Sequence, residues 1–286
     1  MQNQSYMYSI LLYFFQSISA PIIRDSTECD IHNFSHTYPS TDLESIYCTS
    51  VNTIMQIYIC NDNITSQHEQ LPLSEQIANE QPVLTAIVNL IESRPNAAVI
   101  DVGVGNGIYS ILVAKLGRKV LAVESNYDTI LKFHKAVNLN EVMDKVTLVT
   151  NEVGFESKQR TKAGSKNNND ATAVFHINDL LYVADFHEAI MRIDMPFPHR
   201  ALVYGKYLLS ALKIHAIFMN WSGLRAILEF EIEDEENMLI AQMCLMLESM
   251  GYWPEDISKT GIERYLDYEN VRSWPDHIRW VNAYTL

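Results

Sequence analysis

Between residues 97 and 221, apolar runs of strand length alternate with stretches whose apolar residues recur every three to four positions. No other feature of the chain narrows its fold as much. AAVIDVG (97–103) and KVLAVES (119–125) are continuous and rich in Val and Ile, the pattern of strands covered on both faces. Between them Ile108, Ile111, Leu112 and Leu116 share one helical stripe, and Ile130, Phe133 and Val137 share another over 127–139. KVTLVTNEV (145–153) reads as a third strand. TAVFHI (172–177), EAIMRIDM (188–195) and HAIFMNW (215–221) supply further strands, with a helix over 198–212 between the last two. An apolar helix over 235–250 stops at Gly251, a residue suited to a helix C-terminus. Strand and helix in alternation imply an α/β fold with a doubly wound, mostly parallel sheet.

The chain divides into residues 1–75, a leader and loosely structured extension, and a domain over 76–286 whose first helix starts near Ser74. Residues 6–20, YMYSILLYFFQSISA, have the length of a signal-peptide core but lack a basic flank, and Pro21 follows the best cleavage position. The stretch is too short and interrupted for a membrane span. Sequons stand at Asn33, Asn63 and Asn220, the last at the end of a buried strand. Localisation is therefore open between the secretory pathway and the cytoplasm, and membrane association is expected only if the apolar segment is retained. Three of the four cysteines, Cys29, Cys48 and Cys60, precede residue 61 and none forms a CxxC pair, so no metal site is expected. They read either as unpaired thiols or as a disulfide in the N-terminal segment, which requires an oxidising compartment. SKQRTKAGSKNNND (157–170) is polar and aperiodic, an exposed loop.

With 21 basic against 35 acidic residues the formal charge is −14, which argues against nucleic acid or an anionic membrane surface as the main partner.

The turn after the first strand reads D101-V-G103-V-G105-N-G107. Glycines there let backbone approach a ligand with no Cβ in the way, and ligands of open α/β sheets bind beyond the carboxyl ends of strands. The spacing is GxGxG, not the GxGxxG of a dinucleotide fingerprint. Asp101, at the strand's end, would repel a pyrophosphate but suits a ligand carrying an ammonium group. Glu124 ends the second strand, where a carboxylate can accept both ribose hydroxyls. Acid, glycines and acid together describe S-adenosyl-L-methionine better than NAD. Asn126 is a cofactor contact or a turn residue, and Asn151 closes the third strand near where an adenine would lie.

VIDVGVGNGIYSILVAKLGRKVLAVESNYDTI resembles the cofactor-binding half of FkbM-type S-adenosylmethionine-dependent methyltransferases, whose pattern is VIDVGANIGYYS followed by a strand ending in EPN. HINDLLYVADFHEAIMRIDMPFPHRAL resembles the second block of that family, in which DDLL precedes KIDIEGFEHRAL, and IFMNW is similar to its IFMEW. WPDHIRW resembles the tail of animal members. The resemblance implies the class I methyltransferase fold, a Rossmann-like sheet of seven strands, with S-adenosyl-L-methionine as cofactor and methylation of a hydroxyl on a small molecule or glycan. It matches Asp101, Gly103, Gly105, Gly107 and Glu124 to the cofactor site, Asp194 to the aspartate ending the fourth strand, and His199 and Arg200 to the HR pair. The departures lie on the acceptor side: D194-M-P-F-P-H199-R200 is one residue shorter than DIEGFEHR and lacks both glutamates, and Asn220 replaces the glutamate of MEW.

Methyl transfer needs oxygen and methyl held in line with water excluded, and a base for the hydroxyl proton. Asp194 is the expected base and His199 the second candidate; His176, His187 and His215 are expected to be structural. The altered acceptor side motivates a different reading, a catalytically impaired cofactor-binding or interaction protein. An NAD-dependent oxidoreductase is disfavoured by the GxGxG spacing and by Asp101.

Overall fold

The computed structural model describes residues 29–35, 46–62, 73–154, 174–229 and 235–285. The apolar stretch 6–20, the sequon at Asn63 and the polar loop 157–170 lie outside these residues. Among the described residues no helix is long and apolar enough to cross a membrane.

A hairpin of β1 (Ile46–Asn52) and β2 (Gln56–Asp62) comes first. Helix α1 (Leu73–Ser93) leads into β3 (Ala98–Val102), α2 (Ile108–Lys115), β4 (Val120–Val123), α3 (Tyr127–Leu139) and β5 (Val146–Val149). A two-residue ladder of β6 (Glu152–Val153) and β7 (Val174–Phe175) follows. Then come β8 (Glu188–Ile193), α4 (Pro198–Tyr204), α5 (Lys206–Ala211), β9 (Lys213–Asn220), α6 (Ser222–Glu229), α7 (Glu235–Ser249), β10 (Tyr252–Asp256) and β11 (His277–Asn282).

The main sheet has seven strands in the order β10-β11-β9-β8-β3-β4-β5. From β5 to β9 all neighbours are parallel, and β11 alone runs against the rest. Every residue of β3 is buried, and its side chains alternate between two cores as strand geometry requires. Val99 joins the core built with α1, α2 and α3, whereas Ile100 and Val102 join the one under α4 to α7. The second core ends in a cluster of Trp221, Trp274 and Trp280. The first two rings have centroids 4.6 Å apart, and the last two 5.7 Å. WPDHIRW thus supplies two of the three indoles and the first four residues of the antiparallel strand β11.

Several elements depart from the sequence reading. Of TAVFHI, Thr172 and Ala173 lie outside the described residues; Val174–Phe175 pairs with β6 and not with the main sheet, and from Ile177 the chain coils into a 3-10 turn in which His176 and Asp179 cap each other. The third strand breaks after Val149 and resumes at Glu152. The helix over 198–212 divides at Gly205, where a Cβ would lie 2.6 Å from the Ile177 side chain.

The described part of the N-terminal extension packs against the rest of the fold. Ile57, Ile59 and Cys60 are fully buried, and Cys48 and Cys60, opposite each other in the hairpin register, form a disulfide. The Asn140 side chain grips β2 through Tyr58, accepting from its N–H at 3.0 Å and donating to its carbonyl at 2.8 Å. The two seven-residue strands mix apolar with polar residues and lie outside the strand–helix alternation, so their sequence signal is weak, and β2 packs on α3.

Candidate functional site

Strand order leaves β3 in both directions, toward β4 and β5 on one side and β8 and β9 on the other. The crevice beyond the carboxyl ends of β3 and β8 is therefore where such a sheet takes its ligand. Gly103 makes the turn into it with φ +83°, and a Cβ there would sit 2.0 Å from the Asp194 carbonyl oxygen. Gly105 has φ +57° with nothing within 4 Å of its Cβ position, an open stretch of backbone. Gly107, at φ +78°, has Phe133 of α3 where a Cβ would go, at 2.5 Å.

Asp101 differs from its expected state. It is fully buried inside β3, and Arg192, its register partner on β8, takes the carboxylate with Nη1 at 2.7 Å. Ser110 Oγ donates to the other oxygen at 2.6 Å. Arg192 also donates to the Gly103 carbonyl (2.8 Å) and, through Nη2, to Asp194 Oδ2 at 2.6 Å. Its guanidinium lies 4.2 Å from the centroid of the Tyr109 ring, and the Tyr109 hydroxyl donates to Glu80 of α1. Burial pushes the Asp101 carboxyl above the ordinary range, with Arg192 and Ser110 holding it back. Burial works against the guanidinium charge as well, but the two aspartates push its pKa up and keep it cationic. Two acids around one arginine leave the cluster one unit negative beneath the glycine turn.

Glu124 stands across that turn. Its Oε1 accepts from the N–H groups of Ser125 and Asn126 at 2.9 Å each, and its Oε2 lies 3.4 Å from the Gly105 nitrogen. Asn126 is the N-cap of α3, with Oδ1 accepting from Thr129 N at 2.9 Å, so its side chain serves the helix.

Two expected site residues are engaged elsewhere. Asn151, placed near an adenine by the sequence, is buried and holds Asp30: it accepts from the Asp30 N–H at 2.7 Å and donates to Asp30 Oδ2 at 2.9 Å. The strap Cys29–Ser35 lies along β5 and occupies that amide. His199 is fully buried in the first turn of α4, with Nε2 2.5 Å from Glu236 Oε2 on α7; Arg200 donates to the same carboxylate. Burial lowers the His199 pKa, although Glu236 pulls it up, so the ring is neutral and donates from Nε2, and its Nδ1 has no partner among the described residues. Through Glu236 it ties α4 to α7. His215 is likewise structural, bonded through Nε2 to Glu188 at 2.9 Å.

Asp194 does reach the crevice, with 41% of its side chain exposed. The space beside it, beyond the ends of β8 and β9, is narrow and is lined by Glu80, Tyr109, Arg192, Asp194, Asn220 and His277. Sequence reasoning missed Arg192, Tyr109, Glu80 and His277. For Arg192 a signal existed: it is the one cation inside the apolar run EAIMRIDM. Asn220, the third sequon, ends β9 and accepts from the Ser222 hydroxyl at 2.7 Å.

A mostly parallel seven-stranded sheet in this order, with one antiparallel strand next to its far edge, is the class I methyltransferase fold. The sequence matches no family model and no curated protein. Among solved structures the chain is similar to the O-methyltransferase TomG from Streptomyces achromogenes in complex with SAM (TM-score 0.45, 13% identity, 77% of this chain and 94% of that one). It is also similar to an O-methyltransferase from Bacillus cereus in complex with SAH (TM-score 0.43, 11% identity, 76% and 84%). A third similar structure is magnesium protoporphyrin IX methyltransferase from Synechocystis PCC 6803 with bound SAM (TM-score 0.41, 15% identity, 75% and 86%). Likeness at this level says nothing of what the chain binds, and the fold class rests on its own strand order.

Proposed function

We propose that this chain is an S-adenosyl-L-methionine-dependent O-methyltransferase of the FkbM type, acting on a hydroxyl of a small molecule or glycan. The observation that carries the reading is Glu124, a ribose-binding acid at the end of β4, facing the unobstructed Gly105 backbone across the turn. The ion cluster supports it too: its net negative charge suits a ligand bearing a sulfonium and an ammonium. When bound, the cofactor supplies an activated methyl group. On the protein side, Gly103, Gly105 and Gly107 give the approach, Glu124 takes the ribose, and the Asp101–Arg192–Asp194 cluster sets the charge. Asp194 faces the acceptor with one oxygen committed to Arg192, which fits it to orient a hydroxyl as well as to receive its proton. The Cys48–Cys60 disulfide and the exposed sequon at Asn33 support passage through an oxidising, secretory compartment.

Melting of the full chain with S-adenosylmethionine, S-adenosylhomocysteine or NADH tests the assignment, since a ligand that binds only the folded state raises the melting temperature. The two sulfur-containing ligands should stabilise the wild type, and Glu124→Ala, which still folds but melts lower for want of the carboxylate's bonds to Ser125, Asn126 and Gly105, should show no such shift. Stabilisation by NADH alone, or an undiminished shift in Glu124→Ala, would overturn it.

A further inference from the structure

The strap Cys29–Ser35 joins the sheet where the cofactor site ends. Ile31 bridges Val149 in antiparallel fashion, and His32 N donates to the Leu148 carbonyl at 2.8 Å. The Asp30 carbonyl accepts from Thr150 N (2.9 Å) and from Thr150 Oγ1 (3.1 Å). Asp30 is thereby fixed just past the carboxyl end of β5, on the ligand side of the sheet. Glu124 N donates to the Val149 carbonyl at 3.0 Å, so Glu124, the end of β5 and Asp30 stand in sequence along that edge. Asp30 is two strand spacings from the ribose-binding acid, roughly 10 Å, a distance comparable to the length of an adenosine.

The side chains argue the same way. Asn151 has both ends of its amide engaged by Asp30, so the polar group offered at this edge is the aspartate it holds. Asp30 is exposed, its Oδ2 is bonded to Asn151, and Oδ1 has no partner among the described residues. A carboxylate oxygen accepts only, and the adenine ring presents one amino group that needs an acceptor. The strap is also referenced mechanically to the glycine turn. Phe34 packs edge-on to Phe133 (centroids 6.2 Å), and Phe133 is the ring that fills the Cβ position of Gly107.

We infer that Asp30, positioned by Asn151, accepts a hydrogen bond from the adenine 6-amino group and makes the N-terminal strap part of the cofactor site. The assignment rests on the cofactor reading above and extends it to a segment outside the strand–helix alternation.

Calorimetric titration of the full chain with S-adenosylhomocysteine and with S-inosylhomocysteine tests it. The second ligand carries a 6-oxo group, an acceptor where adenine has a donor. The wild type should prefer the adenosyl compound by about tenfold or more, the worth of a hydrogen bond to a charged group. Asp30→Ala should lose that preference, whereas Asp30→Asn, which keeps an acceptor oxygen, should retain part of it. Unliganded melting temperatures, expected to stay near wild type, separate lost recognition from a detached strap. An unchanged preference in Asp30→Ala overturns this assignment alone. A wild type that binds neither compound overturns the cofactor reading along with it.

Discussion

Replacing Arg192 by Met keeps the aliphatic stem and removes the guanidinium, leaving the fully buried Asp101 with Ser110 as its remaining side-chain donor. Breaking a buried ion pair from one side costs about 3–5 kcal/mol, a large part of the roughly 5–15 kcal/mol that holds a domain together. An independent bound comes from protonation. A stranded Asp can escape its charge by taking a proton, and from an ordinary pKa near 3.9 that costs about 1.4 kcal/mol per pH unit, or ~4 kcal/mol at pH 7. The two figures agree. Because burial raises the pKa of Asp101 already in the wild type, ~4 kcal/mol is the upper end. The sign follows from linkage: the folded pKa in the variant lies above the unfolded one, so stability is full below about pH 3.9 and is lost as pH rises toward the folded pKa. The deficit of Arg192→Met against wild type should therefore be about 3–4 kcal/mol at pH 7 and shrink by more than half at pH 5. Adding Asp101→Asn, which removes the stranded charge, should recover most of it. Urea unfolding followed by fluorescence of the buried Trp221, Trp274 and Trp280 reads all three proteins. A deficit under about 1 kcal/mol at pH 7, or one equally large at pH 5, would show that this charge cluster is not electrostatically coupled as described.

Gly103→Ala combines a left-handed φ with a Cβ 2.0 Å from the Asp194 carbonyl oxygen. The conformational penalty alone is about 1–2 kcal/mol, so a loss of at least 2 kcal/mol, or failure to fold, is expected in the same unfolding assay, and near-wild-type stability would contradict the close approach. The His199–Glu236 tether should weaken in acid. Burial depresses the His199 pKa, so the stability it contributes is complete above about pH 6.5, the ordinary value, and falls below it. Arg200 and His199 depress Glu236, whose contribution is lost at still lower pH. Wild-type urea midpoints should drop between pH 7 and pH 5, and His199→Leu should flatten that drop; parallel pH curves for the two proteins would refute the tether.

What the sequence displayed and what it hid divide along a physical line. The parallel strands and the glycine turn were legible because both are local. A strand buried on two faces has to be continuously apolar, and a backbone that must pass 2.0 Å from where a Cβ would point has to be glycine. The site's charges were not legible in the same way, because their meaning depends on register. Asp101 and Arg192 are 91 residues apart, and only the pairing of β3 with β8 sets them opposite each other. That pairing changes Asp101 from a carboxylate awaiting an ammonium group into half of an ion pair, and puts Asp194 under the same guanidinium. The contact of Asn151 was hidden for a related reason, since its partner Asp30 lies 121 residues earlier in a segment with no periodic signal. An amide at a strand end looks the same whether it meets an adenine or another stretch of chain. The strap laid along β5 takes up that amide, and on the inference drawn above the recognition role passes from Asn151 to the residue it holds, which would make the chain's first described segment part of the site together with the glycine turn.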